Sequence, residues 1–194
     1  PVSASPVVRI GIVGQVEEWK GHHNLLAAFA RVAGQGPRAE IHVYGSGSAS
    51  YMELLKRQAE ELGLGDWVVW HGFVQDRRQI YQELDFCVVP VPAGANEALP
   101  TVAIEAGFFG LPVIASRRGG LVEILEDGVT GFLVEAGDLD QLAERLQQLI
   151  RDSGLRERLG QAARLRVEAH FSRKRFVVDF LKWMEHPPEP VERV

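Results

Sequence analysis

The sequence predicts an α/β fold: a doubly wound, Rossmann-like parallel sheet of about six strands with a helical C-terminal tail. Three observations predict it. Short apolar runs alternate with segments of helical periodicity from residue 7 to residue 134. Those runs are apolar on both faces, as strands covered by helices on both sides of a parallel sheet must be. A length of 194 residues with 46% hydrophobic content suffices for one well-cored domain.

The first strand is 7–13 (VVRIGIV), followed by a helical pattern over 20–33 with Leu25, Leu26, Phe29 and Val32 on one face. The second strand, 39–44, ends at a Gly-Ser-Gly-Ser turn and leads to a helix over 51–62. A third strand at 67–70 precedes a helix at 76–84, and a fourth at 85–90 (DFCVVP) opens into a loop of small residues. From Thr101 a helix runs on, its start marked by Pro100, a residue favoured at the first helical position because it has no N–H to lose. A fifth strand at 112–115, a short helix near 121–125 and a sixth strand at 131–134 complete the sheet. Helices at 138–150, 154–169 and 172–185 follow, the last with Ser172 as its N-cap. Residues 1–6 read as a linker, 7–185 as the domain and 186–194 as a flexible Pro-rich tail. The two ends and the absence of an initiator methionine point to a piece of a longer polypeptide.

Composition removes several function classes. A net charge of −5 argues against nucleic-acid binding, which needs a basic surface. The single Cys87 sits in an apolar run, so it reads as a buried hydrophobe in a protein of the reducing cytoplasm. No apolar run reaches the roughly 18 residues of a membrane span. The arginines between 145 and 175 share their helices with glutamates and read as a solvated face, leaving peripheral membrane contact unsupported. His22 and His23 are adjacent and diverge on a helix, which is poor geometry for joint metal ligation. No G-x-S-x-G nucleophile elbow is present.

In open α/β sheets ligands bind beyond the carboxyl ends of the strands. After the first strand, GQVEEWKG (14–21) places Lys20 near a helix start, where an anion meets both its charge and the helix end, or where it is a plain surface lysine. It is not a phosphate loop of the Walker type, because Lys20 precedes its glycine. The Gly-Ser-Gly-Ser turn lacks the third glycine of a dinucleotide fingerprint. After the third strand, His71-Gly72-Phe73 leaves the sheet at a glycine that lets backbone approach a ligand, or simply turns. Arg117 and Arg118, ahead of Gly119-Gly120 after the fifth strand, either hold phosphate or are merely solvated, the second being the favoured reading.

The organising stretch is GANEALPTVAIEAGFFG, 94–110, with Glu97 and Glu105 eight positions apart. Its helix is apolar nearly all round and so expected to be buried on most sides, except at Glu105. A carboxylate there requires either a structural partner or a polar ligand pocket. The N–H groups of Thr101, Val102 and Ala103 and the positive end of the helix dipole form an anion cradle.

In chain order, GQVEEWKGHHNLLAAFA, VYGSGS, VVWHGFV, DFCVVPVP, NEALPTVAIEAGFFGLPVIAS and GGLVEILEDGVTGFLV resemble the C-terminal, donor-binding domain of the GT-B retaining glycosyltransferases of the group 1 (family 4) class. The resemblance implies one half of a GT-B fold, binding a nucleotide-diphosphate sugar. Glu105 is similar to the glutamate that hydrogen-bonds the ribose, and Glu97 to the one that addresses the transferred sugar or phosphate region. Backbone from Leu99 through Pro100 and Thr101 to Val102 would hold the distal phosphate, Lys20 would neutralise the leaving diphosphate beside Gly14 and Gln15, and the base would sit near Gly72, Phe73 and Val74. Lys20 and Glu97 would be the catalytic pair, with no metal and no cofactor. The acceptor would be bound by an N-terminal domain outside these residues, so that the fragment alone binds without transferring. Two positions depart from the pattern: Gln15 stands where an arginine is usual, and Ala98 where a glycine is common. Losing that guanidinium would weaken leaving-group stabilisation by about a few kcal/mol at most. A non-catalytic nucleotide-sugar sensor or assembly module is the alternative, and a related nucleotide-sugar epimerase would need acid and base residues not found in the sequence.

Overall fold

A computed structural model describes residues 7–95 and 97–185, without the side chains of residues 183 and 185; the linker read at 1–6 and the tail read at 186–194 lie outside the described residues. Six parallel strands form one sheet: β1 (Val8–Val13), β2 (Ala39–Tyr44), β3 (Val68–Gly72), β4 (Phe86–Val89), β5 (Val113–Ser116) and β6 (Gly131–Val134). Their order is β3-β2-β1-β4-β5-β6, so the winding direction reverses between β1 and β4. Ile10 of β1 pairs with Phe86 of β4 and Gly11 with Cys87, at the centre of the sheet. Central strands are buried on both faces because helices cover both, which is why they read as continuous apolar runs.

The helices are α1 (His22–Ala30), α2 (Ala49–Glu61), α3 (Arg77–Gln82), α4 (Thr101–Phe108), α5 (Leu121–Ile124), α6 (Leu139–Arg151), α7 (Ser153–His170) and α8 (Arg173–Glu185). Two cores result. Ile10, Ile12, Leu25, Leu26, Phe29 and Ile41 fill one with α6, and Tyr81, Cys87, Ala103, Ala106, Val113 and Leu133 fill the other. Cys87 is wholly buried, and burial pushes its thiol well above the ordinary range, in keeping with a hydrophobe rather than a nucleophile.

Several local expectations change. The helix expected over 20–33 is two pieces: a one-turn 3-10 helix Glu18–Lys20, a left-handed Gly21, and then α1. Helix α2 starts two residues early because the Ser48 hydroxyl accepts from the Tyr51 N–H and caps it. Pro100 is the N-cap of α4 rather than its first helical residue. That helix is graded in burial: Ala103, Ala106 and Gly107 are buried, Val102, Ile104 and Glu105 are half-buried, and Thr101 and Phe108 are exposed. A Cβ on Gly107 would lie 2.7 Å from Val167, so a small residue there is what lets α7 approach α4. Ser172 does meet the start of α8, accepting from the Arg175 N–H at 3.3 Å.

The arginine-bearing helices are mostly solvated as read, with Arg164 paired to Glu168 and Arg175 to Asp179. Arg156 is the correction. It is buried, and its guanidinium donates to the Leu149 carbonyl at 2.5 Å, satisfying the C-terminal end of α6. Among the described residues no helix is long and apolar enough to cross a membrane.

Candidate functional site

The reversal between β1 and β4 opens a crevice at the carboxyl ends of the strands, and the chain's unusual residues converge there. The loops after β1, β2 and β3 are tied together by backbone bonds: the Gly14 N–H donates to Tyr44 O at 2.9 Å, Val16 N–H to Ser46 O at 2.9 Å, and Gly45 N–H to Gly72 O at 2.8 Å. Gly45 has φ +142°, and a Cβ there would sit 1.7 Å from the Gly14 carbonyl oxygen, so this seam requires glycine.

Two adjoining cavities share Val13, Lys20, Thr101 and Val102. One, of about 250 Å³, is lined by Val13, Gly14, Gln15, Lys20, Tyr44, Gly45, Ser46, Phe73, Val74, Arg77, Ile80, Thr101 and Val102. The other, of about 60 Å³, lies deeper and is bounded by Lys20, His22, Glu97, Leu99, Pro100, Thr101 and Val102 with the ends of β1 and β4. Ten of the twelve residues singled out from sequence therefore share one continuous site. Gly72 and Glu105 do not line it. Gly72 shapes it from behind, with φ +69° turning the chain so that Phe73 and Val74 enter the wall. Glu105 stands one helical turn beyond Thr101, where its partner Arg77 reaches the cavity rim.

Lys20 and Glu97 form an ion pair across the crevice, with side chains 19% and 11% exposed. The Glu97 backbone is fixed separately, its carbonyl accepting from the Gly120 N–H at 3.0 Å. At the start of α4 the cradle is narrower than expected. The Thr101 N–H turns back to Leu99 O at 2.9 Å and Ala103 N–H to Pro100 O at 3.0 Å, so of the three donors only Val102 N–H has no backbone partner among the described residues.

Glu105 has structural partners. Tyr81 of α3 donates to Oε2 at 2.7 Å, and the exposed Arg77 meets Oε1. Sequence reasoning missed both, because nothing local in α3 announces a contact made 24 and 28 residues along the chain. It also missed His22 as a wall of the deep cavity. That imidazole is buried, and burial pushes it down to about 4 against a smaller opposing pull from the Glu17 backbone; neither ring nitrogen is in hydrogen-bonding geometry. Arg117 is held by Asp127 at 2.8 Å and Glu135 at 3.1 Å, away from both cavities. Among the described residues no cluster of three His, Cys, Asp or Glu side chains is arranged to hold a metal ion.

The site therefore offers one lysine, a helix start and the Glu97 carboxylate around the crevice, with Glu105 anchored separately just beyond its wall. Such a set suits an anionic group flanked by hydroxyls. A family model described as glycosyl transferases group 1 matches residues 6–166. The capsular polysaccharide biosynthesis glycosyltransferase CapM of Staphylococcus aureus is 32% identical over 170 residues, which cover 84% of this chain and 42% of that protein. The D-inositol 3-phosphate glycosyltransferase of Corynebacterium urealyticum is 36% identical over 164 residues, covering 79% and 37%. The chain thus spans less than half the length of these relatives. Among solved structures, Anabaena HepE in complex with UDP-glucose superposes with a TM-score of 0.81 at 27% identity, over 95% of this chain and 50% of that one. The C-terminal domain of LpcC from Francisella tularensis matches over 86% of this chain and 87% of its own length, with a TM-score of 0.77 and 27% identity.

Proposed function

The chain belongs to the group 1 glycosyl transferases, and from that membership we propose that it is the donor domain of a retaining enzyme, binding a nucleotide-diphosphate sugar whose glycosyl group passes to an acceptor held by an N-terminal domain. The observation that carries this reading is the Lys20–Glu97 pair set between the loops after β1 and β4, with the start of α4 forming the floor. Departure of a nucleoside diphosphate builds negative charge. A lysine and an N–H without a backbone partner at a helix start stabilise that charge, so in this reading no metal is needed. In this reading Lys20 and the α4 start take the diphosphate, and Glu97 serves the hydroxyls of the sugar. Glu105 takes the ribose, and the wall of Phe73 and Val74 beyond Gly72 receives the base. The UDP-glucose complex of HepE supports a nucleotide-sugar ligand for this kind of domain. The buried thiol of Cys87 fits a cytoplasmic setting.

Gln15 favours a second reading, a nucleotide-sugar sensor without transfer, since an amide on the cavity wall stands where the resemblance leads one to expect a guanidinium. Calorimetric titration of the chain with UDP-, GDP- and ADP-sugars tests the first reading, with Glu105→Ala as control. Binding tighter than millimolar by the wild type and a weaker control are expected; no binding, or equal binding by the control, refutes it. A full-length protein that binds donor but neither hydrolyses nor transfers it would select the sensor.

A further inference from the structure

We propose that Trp19 is a positioning residue for Lys20, holding the ammonium on its ring face so that Lys20 can turn from Glu97 to a diphosphate without leaving the site; this rests on the donor-site reading above. The Lys20 Nζ lies 4.2 Å from the Trp19 ring centroid while pairing with Glu97 Oε2. The ammonium is thus gripped twice, by a carboxylate and by a π face. The two grips differ in kind. A carboxylate competes directly with phosphate oxygens for the ammonium protons, whereas a ring face attracts the cation electrostatically and leaves its other donors to turn.

Both residues ride on the single turn Glu18–Lys20, and that turn is anchored. Gly21 closes it in the left-handed region at φ +75°, so close to β4's exit that a Cβ would sit 1.8 Å from the Pro90 carbonyl oxygen. The backbone that carries the ring and the lysine is therefore held in place while the Lys20 side chain turns. Trp19 is otherwise hard to account for. It is 39% exposed, belongs to neither hydrophobic core, and stands beside an open groove shared with Glu17, Glu18 and His23. Lys20 pairs with and neutralises Glu97. When a diphosphate draws the ammonium over, the ring keeps it within reach, and the freed Glu97 oxygen becomes an acceptor for a sugar hydroxyl.

The test is calorimetric titration of the chain with UDP, GDP and ADP, comparing wild type, Trp19→Phe and Trp19→Leu, each with and without Lys20→Met. Trp19→Leu is expected to weaken the tightest of the three diphosphates about three- to tenfold, and Trp19→Phe to keep affinity within about twofold. In the Lys20→Met background Trp19→Leu should change nothing further. An unchanged affinity in Trp19→Leu, or an equal loss in the Lys20→Met background, overturns the proposal. Should Trp19→Leu not fold, carbon-13 labelling of the lysine ε-carbons in the wild type decides: Lys20 must show an upfield ring-current shift that persists when diphosphate is added, and its absence overturns the proposal. A wild-type chain that binds none of the three sinks the donor reading and this inference with it, whereas binding with indifferent variants sinks only this inference.

Discussion

Tyr81 donates a 2.7 Å hydrogen bond to Glu105 from the neighbouring helix, and the opposite carboxylate oxygen is taken by Arg77. The two partners are unequal. Tyr81 is buried, stacks on Phe109 at 5.3 Å, and has its phenol pushed well above the ordinary range by burial, so it stays a donor at every working pH. Arg77 has 60% of its side chain exposed and is screened by water. Glu105 is thereby aimed by the tyrosine and only lightly held by the arginine.

Tyr81→Phe keeps the packing and removes that bond. It should destabilise the chain by about 1–2 kcal/mol in chemical denaturation and weaken nucleotide binding in the same titration that finds the ligand. Arg77→Gln should cost no more than about 0.5 kcal/mol.

Gly21→Ala should be far more damaging than its size implies. The residue sits at φ +75° with the Pro90 carbonyl oxygen 1.8 Å from where a Cβ would be, so both backbone strain and a clash with main chain arise. A loss of about 3 kcal/mol or more in stability is expected, together with loss of nucleotide binding, because the turn that carries Lys20 is displaced. Gly63→Ala provides the control, since Gly63 has φ +69° with nothing within 4 Å of the added Cβ; it should show the strain without the clash, at about 1 kcal/mol.

The pH dependence of stability should carry the mark of His22. Its folded-state value lies near 4 against 6.5 unfolded, so between these the unfolded chain binds more protons. The neutral, buried imidazole thus favours the fold fully above about pH 6.5, and that contribution drains away as pH falls toward 4, by about 3 kcal/mol in total. Denaturation series from pH 7 to pH 5 should show a falling stability that is flattened in His22→Leu. An identical slope in the variant would refute the assignment.

Lys20 and Glu97 should separate stability from binding. Lys20→Met leaves a largely buried carboxylate unpaired and should destabilise by about 1–3 kcal/mol while lowering affinity for nucleoside diphosphate by roughly tenfold or more. Adding Glu97→Gln should restore much of the stability and none of the affinity. Glu97→Gln alone should leave diphosphate binding intact, because Lys20 is freed, while reducing the preference for the sugar-bearing nucleotide over the bare diphosphate.

The strands were legible because burial on both faces demands unbroken apolar runs, and each of the six expected strands exists within one or two residues of its reading. Helix ends were less so. The break at Gly21 depends on a contact with Pro90 that lies 69 positions away, and no local pattern encodes it. The same limit applied to the site. Spacing within 94–110 exposed Glu97, Glu105 and the start of α4, since a carboxylate in an apolar helix is conspicuous. The partners that define those carboxylates come from α3 and from the turn after β1, and were invisible until the chain was folded.

By itself the sequence determined the alternation of strand and helix, the parallel sheet, and the segments that end at the sheet's carboxyl edge, because each follows from hydrophobic period and from the backbone needs of glycine and proline. Tertiary structure alone decided which of those segments meet. Strand order brought the loops after β1 and β4 together at the reversal, so Lys20 found Glu97, and it laid α3 against α4, so Tyr81 found Glu105. Side-chain chemistry is written locally, but a partner 77 residues away is chosen by packing.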